Sequence, residues 1–218
     1  MRVVLVSANL GNSNSPIRWA HQDLREGTVD FVRFDDESYP PRAAMGPRLQ
    51  AKIPKMFAWE MLPGYDIYIW IDASFRIWRF STAQWFVDHL GDGEFAAFPH
   101  PNRTSIRAEA ELLRASIAAD PYLRIRYGGE LVDEQLAAIP PDYPDDRLFC
   151  GGLIAYRPTP RVKAAMCDWW FHTSRYHVID QLSLPYVLWK NKVDVRALPG
   201  RFYKEGPMLF RPKVRHDG

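Results

Sequence analysis

The sequence has only two cysteines in 218 residues, Cys150 and Cys167, and they are not spaced as a metal-binding pair. A disulfide scaffold and a cysteine-based zinc site are thereby excluded, and reduced, buried thiols in a cytoplasmic protein are the expectation. No charge of one sign dominates, since 28 Lys and Arg face 26 Asp and Glu for a net charge of +2. Nucleic-acid binding through bulk charge is therefore not expected, whereas a local basic pocket for a small anion is compatible with the balance. Long hydrophobic runs are missing too. The longest is Ile67 to Ile71, far short of the roughly 20 apolar residues of a membrane helix. The opening MRVVLVSANLG lacks the apolar stretch of a secretion signal, so neither a transmembrane segment nor a leader is expected. There is also no internal repeat, no glycine-rich phosphate loop and no signature of a nucleophile triad.

Aromatic side chains are plentiful, with 8 Trp, 10 Tyr and 12 Phe. They supply core volume as well as stacking faces for bases and sugars. Val3 to Val6 is a continuous β-branched run, the pattern of a strand buried on both faces. Val29 to Phe34, Asp66 to Ile71, Phe95 to Phe98 and Leu148 to Tyr156 read as further strands. Between them, helical spacing covers Arg48 to Leu62 (kinked or begun at Pro54), Thr82 to Leu90, Arg107 to Ala119 and Glu130 to Ile139. Thr159 followed by Pro160 starts another helix, and Val178 to Trp189 forms a last one, bent or begun near Pro185. The tail from Val193 reads as irregular. Strands alternating with helices imply an α/β layered sheet. No linker interrupts the pattern, so residues 1–218 are expected to form one domain.

Asp72 ends the strongest strand, in the run Tyr65-Asp66-Ile67-Tyr68-Ile69-Trp70-Ile71-Asp72-Ala73-Ser74. It has two readings. It can cap the following turn or pair with Arg76 or Arg79; alternatively, it can face a ligand at the carboxyl edge of the sheet, where open α/β sheets bind. Small Ala73 and Ser74 would allow that ligand to come close. Ser7 to Asn9 after the first strand are either a polar turn or the wall of a nucleoside pocket, with Asp35 after the second strand beside them. Arg48, Lys52 and Lys55 recur at helical spacing, as a solvated stripe or as cations for a diphosphate. Asp180 is either an N-cap for the helix after it or an active-site carboxylate. Trp78 and Trp85 suit the core or the floor of a sugar site, and of Trp169, Trp170 and Phe171 one is expected to be core and another exposed.

Taken in order, these residues resemble a family. IWIDAS is similar to the strand-end acidic motif of nucleotide-sugar glycosyltransferases of the GT-A fold. Arg48, Lys52, Lys55, Tyr65 and IWID resemble the RxxxKxxK…Y…IWID pattern of the plant mucilage-type glycosyltransferase domain. His100, Arg103 and Glu109 resemble its HxxR…E stretch, Gly151-Gly152-Leu153-Ile154 its next strand and Asp180-Gln181 its DQ motif. The resemblance spans Arg48 to Trp189. It implies a GT-A-like, Rossmann-type α/β fold, a three-layer α/β/α sandwich with a mixed, mainly parallel sheet, and transfer of a sugar from a nucleoside-diphosphate donor to a glycan or other hydroxyl acceptor, as in polysaccharide biosynthesis.

On this resemblance Asp72 and Asp180 are catalytic. Ser7, Asn9, Arg48, Lys52, Lys55, Asp72, Ser74 and Arg103 hold the donor, while His100, Glu109, Gly152 and Gln181 hold the substrate. The usual GT-A motif is Asp-x-Asp, whose second acid holds a divalent cation, manganese or magnesium; here the run is Asp72-Ala73-Ser74. Asp72 with the late His216 is the implied metal pair. The competing readings are nucleotidyl transfer, for which SANLGNSNS lacks a cation, and a degenerate GT-A domain that binds sugar or nucleotide without turnover.

Overall fold

The computed structural model describes residues 1–11, 19–77 and 79–200. Among these residues, six strands form one sheet: β1 (Arg2–Asn9), β2 (Thr28–Asp35), β3 (Ile67–Ile71), β4 (Phe95–Pro99), β5 (Phe149–Tyr156) and β6 (Val195–Ala197), in the order β2-β1-β3-β5-β4-β6. β1 pairs in parallel with β2 and β3, and β4 with β6, whereas β5 runs antiparallel to both β3 and β4. A single reversed strand thus joins two parallel groups. The expected mixed, mainly parallel sheet is the observed one.

Continuous apolarity in β1 and β3 has the predicted cause. Val4, Val6 and Ala8 join one apolar cluster and Val3 and Leu5 another, so both faces of β1 are covered. On the first face lie α2 (Lys52–Met61), α7 (Pro160–Arg175) and α8 (Leu184–Lys190), contributing Met56, Trp169 and Val187. On the second lies α3 (Thr82–Leu90) with Ala83, Phe86 and Leu90. Trp169 is fully buried and Phe171 is exposed, dividing the aromatic cluster as expected. Trp85 packs beside Phe86 and Phe98, as part of the core reading, and Trp78 lies outside the described residues.

Several expectations are corrected. The helix read from Arg48 to Leu62 is two: α1 (Pro47–Gln50) and α2. α1 stops at the residue four before Pro54, whose ring would meet the Gln50 carbonyl in a continuous helix. The helix read from Val178 to Trp189 is a 3-10 turn, Asp180–Leu182, followed by α8 with Pro185 in its first turn. α5 (Pro121–Tyr127), after α4 (Ile106–Ala119), is a helix the sequence reading did not include, whereas α6 (Val132–Ala137) lies within the helix read from Glu130 to Ile139. Asp120 caps α5, accepting from the N–H groups of Tyr122 and Leu123. The tail read as irregular contributes β6. Cys150 is buried as expected, but Cys167 is exposed on the outer side of α7.

Candidate functional site

The carboxyl ends of β1, β2, β3 and β4 and the amino end of β5 meet at one edge of the sheet. Asp72 stands there directly after β3, its side chain 39% exposed. Its backbone N–H donates to the Gly152 carbonyl at 2.8 Å, and its Oδ1 accepts from the Trp70 indole at 2.6 Å. These two bonds fix the carboxylate at the strand end. Neither expected structural partner, Arg76 or Arg79, holds it: its ionic neighbour is Lys55, 3.7 Å away.

Lys55 is almost fully buried, at 1% side-chain exposure. Its ammonium donates to Asp180 Oδ2, and Lys52 donates to the same oxygen at 2.6 Å. The Lys55 ammonium also lies 5.2 Å from the centre of the Trp169 ring, whose indole N–H donates to the Asp180 carbonyl at 2.8 Å. Asp180 is thus tied at both its main chain and its carboxylate, and it caps no helix. Burial opposes its charge, but the two ammonium groups outweigh burial and hold the carboxyl well below the usual carboxylate range. Burial likewise lowers the Lys55 ammonium, and the carboxylates of Asp180 and Asp72 overcome it, leaving Lys55 raised. At Lys52 burial prevails over Asp180, so that ammonium is lowered.

A second group of side chains continues from the first. Arg103 pairs with Glu109, and its guanidinium lies 3.2 Å from His100 Nε2. Gln181, next to Asp180, donates to Glu109 Oε1 at 3.1 Å. Burial lowers His100, against the pull of Glu109. Cys150, close by on β5, is pushed up to about 12 by burial, with Glu109 adding to the effect, so its thiol stays protonated.

The structure therefore brings together Asp72, Lys52, Lys55 and Asp180, and next to them Arg103, His100, Glu109 and Gln181. Ser7 and Asn9 lie at the end of β1, both buried, with Ser7 Oγ lacking a hydrogen-bond partner. Ser74 is exposed in the turn after Asp72. Arg48 stands apart: the break between α1 and α2 turns it away, and it donates to the Tyr127 hydroxyl at 2.7 Å. Sequence reasoning chose Gly152 but missed Gly151, where a Cβ would come within 3.1 Å of Asp180 Oδ1 and 3.2 Å of Lys55 Nζ. It also missed Trp70 and Trp169 as partners of the two acids. The doubled glycine in an otherwise bulky strand was the available signal for the first.

Among the described residues, no group of three or more His, Cys, Asp or Glu is arranged to hold a metal ion. Asp72 offers one carboxylate, and the Asp180 oxygen nearest Lys55 already faces two ammonium groups, which a cation would have to approach against their charge. That donor set does not fit a hard divalent cation. His216 lies outside the described residues. A cavity of about 630 Å³ between Tyr143, Phe149 and Trp189 has no wall in this cluster. No helix among the described residues is long and apolar enough to cross a membrane.

No protein-family model matches the chain, and no curated protein matches it. Solved structures similar to it include three glycosyltransferases. The apo structure of the bifunctional glycosyltransferase WbbM is 15% identical with a TM-score of 0.44, over 78% of this chain and 28% of that one. Mouse xyloside xylosyltransferase 1, in its apo form, is 11% identical with a TM-score of 0.45, over 91% and 85% of the two chains. The galactosyltransferase LgtC, in complex with donor and acceptor sugar analogues, is 13% identical with a TM-score of 0.36, over 84% and 70%.

Proposed function

We propose that the protein is a glycosyltransferase of the GT-A type that moves a sugar from a nucleoside-diphosphate donor to a hydroxyl of a carbohydrate or other acceptor. The observation that carries this reading is the strand-end cluster, in which half-exposed Asp72 and the clamped Lys52–Asp180–Lys55 trio share one sheet edge. In such a reaction the bond from the anomeric carbon to the diphosphate oxygen breaks, and the electron pair leaves with the diphosphate. The acceptor oxygen forms the new bond, and its proton passes to the departing diphosphate oxygen. Fixed positive charge near the leaving group is the largest contribution a site can make. Lys52, whose side chain is 18% exposed, is the cation of the trio that can reach a diphosphate.

Asp180 takes a different part from that of a proton acceptor. A carboxylate held so far below its usual range is a weak base, and general-base efficiency falls with basicity. Asp180 instead stays ionised and orients an acceptor hydroxyl or faces positive charge developing at the anomeric carbon. Asp72 accepts from the donor's ribose or sugar hydroxyls, and Ser7, Asn9 and Ser74 lie on the nucleoside side. Arg103 and its partners His100, Glu109 and Gln181 border the substrate beyond Asp180.

Thermal-shift binding of nucleoside diphosphates and their sugars, with and without manganese, tests the reading. One nucleotide class should stabilise the protein by about 2.7 kcal/mol at a hundredfold excess over Kd. The shift should disappear in Asp72→Ala and Lys52→Met and should not require manganese. Release of nucleoside diphosphate from the sugar donor should drop at least a hundredfold in Asp180→Asn. Binding without any turnover would leave a sugar- or nucleotide-binding domain, and no shift with any nucleotide would end the proposal.

A further inference from the structure

Away from the strand-end acids, a cavity of about 380 Å³ lies between the start of α1, the end of α5 and the C-terminal end of α7. Three arginines line it, Arg48, Arg126 and Arg175, and among the described residues none of them forms an ion pair. Their guanidinium groups rest on aromatic rings instead. Arg48 and Arg126 share the ring of Tyr127, at 4.7 and 5.4 Å from its centre, and Arg175 lies 5.5 Å from that of Tyr176. Arg48 also donates to the Tyr127 hydroxyl at 2.7 Å and Arg126 to the Tyr122 hydroxyl, which leaves further N–H groups of both free to meet an anion. The cavity's one acid, Glu130, is committed elsewhere, accepting from the backbone N–H of Val178 and lying 2.9 Å from His177 Nδ1.

The floor of the cavity points the same way. His177 and Thr173 line it and are 2% and 3% exposed. His177 Nδ1 is engaged by the Ile179 N–H at 2.8 Å, while its Nε2 and the hydroxyl of Thr173 have no hydrogen-bond partner at all. Buried polar groups in folded proteins are nearly always satisfied. Two buried polar groups without a protein partner and three guanidinium groups without a counter-ion therefore line one cavity. Planar guanidinium forks match the paired oxygens of a phosphate or carboxylate, and stacking on a ring holds a fork ready for them.

We infer that the Arg48–Arg126–Arg175 cavity binds an oxyanion, a phosphate or carboxylate, at a site separate from the one proposed for the donor. Such a group could come as a free anion or as a substituent of a larger substrate. An anion there would contact α1, the short helix that precedes α2.

The test is binding of inorganic phosphate at constant ionic strength, with chloride as control, followed by thermal shift and isothermal titration calorimetry. The expected result is a phosphate-specific shift that falls at least tenfold in apparent affinity in Arg126→Ala/Arg175→Ala and is unchanged in Lys52→Met and Asp72→Ala. Both arginines are exposed, so the double variant should fold; His177→Phe, which removes the unsatisfied nitrogen, is the second probe and should weaken binding in the same way. A shift lost in Lys52→Met but kept in the arginine variant would assign the anion to the strand-end cluster and overturn the inference, as would no shift beyond that of chloride. A glucuronate-terminated oligosaccharide that displaces phosphate only when the arginines are present would identify the anion as a substrate substituent. Displacement by free glucuronate with equal affinity would identify a free-anion site. These readouts need no turnover, so they stand or fall apart from the transferase reading.

Discussion

Lys55 is where the cost and the use of the strand-end cluster meet. An ammonium at 1% exposure is tolerable only because two carboxylates face it, and removing one member of a buried pair strands the other. Lys55→Met should therefore lower stability by about 3–5 kcal/mol, a drop in Tm of roughly 6–20 °C for a chain of this size, read by thermal denaturation. Lys52→Met, at a position 18% exposed against 1% for Lys55, should cost less stability while removing nucleotide binding. Asp180 sets an acid limit. Its folded pKa is depressed, so the unfolded state binds protons more readily, and the contribution is complete above the ordinary carboxylate value of about 3.9 and lost as pH falls below it. Urea titrations at pH 7, 4 and 3 should show the stability gap between wild type and Asp180→Asn closing as acid is added.

At the scale of elements, β5 is the most exacting. Its residues from Phe149 to Tyr156 are all buried, and Gly151 lies against a salt bridge whose members are pinned on every side. Gly151→Ala places a methyl group where neither Asp180 nor Lys55 can retreat, and should cost about 1–3 kcal/mol, as overpacked sites do; chemical denaturation measures it, and donor binding should weaken with it. Much of this element structure was legible. β1, β3 and β5 announced themselves through unbroken apolarity, α3 matched residue for residue, and Thr159-Pro160 marked the start of α7, with Thr159 accepting from the Val162 N–H. α5 was hidden because Leu123 and Ile125 alternate like a strand and pack against little: Ile125 is 90% exposed. At the site, Asp72, Lys52, Lys55 and Asp180 could be chosen from the sequence, but not that both lysines would close on Asp180. That pairing depends on the 3-10 turn bringing Asp180 under α2, a tertiary event that no local pattern encodes.

For the molecule as a whole, β5 is the clasp between β2-β1-β3 and β4-β6. Because both apolar clusters run across that strand, through Ile154 and Tyr156 on one face and Leu153 and Ala155 on the other, the chain should unfold in one calorimetric transition with equal calorimetric and van't Hoff enthalpies. Two transitions would show instead that the halves stand independently. The same strand orders events during synthesis. Tyr156 of β5 pairs with Tyr68 of β3 and with Phe95 of β4, contacts so distant in sequence that their loop-closure cost falls late in folding. A nascent chain that has emerged only as far as β4 has β1, β2 and β3 ready to pair, yet the inner edge of β3 is bare. Lys55 and Asp72 are by then already made, and the partner that neutralises Lys55 is not. Only once Asp180 has been made can Lys55 be fully neutralised and buried, so chains cut short before residue 180 lack the cluster.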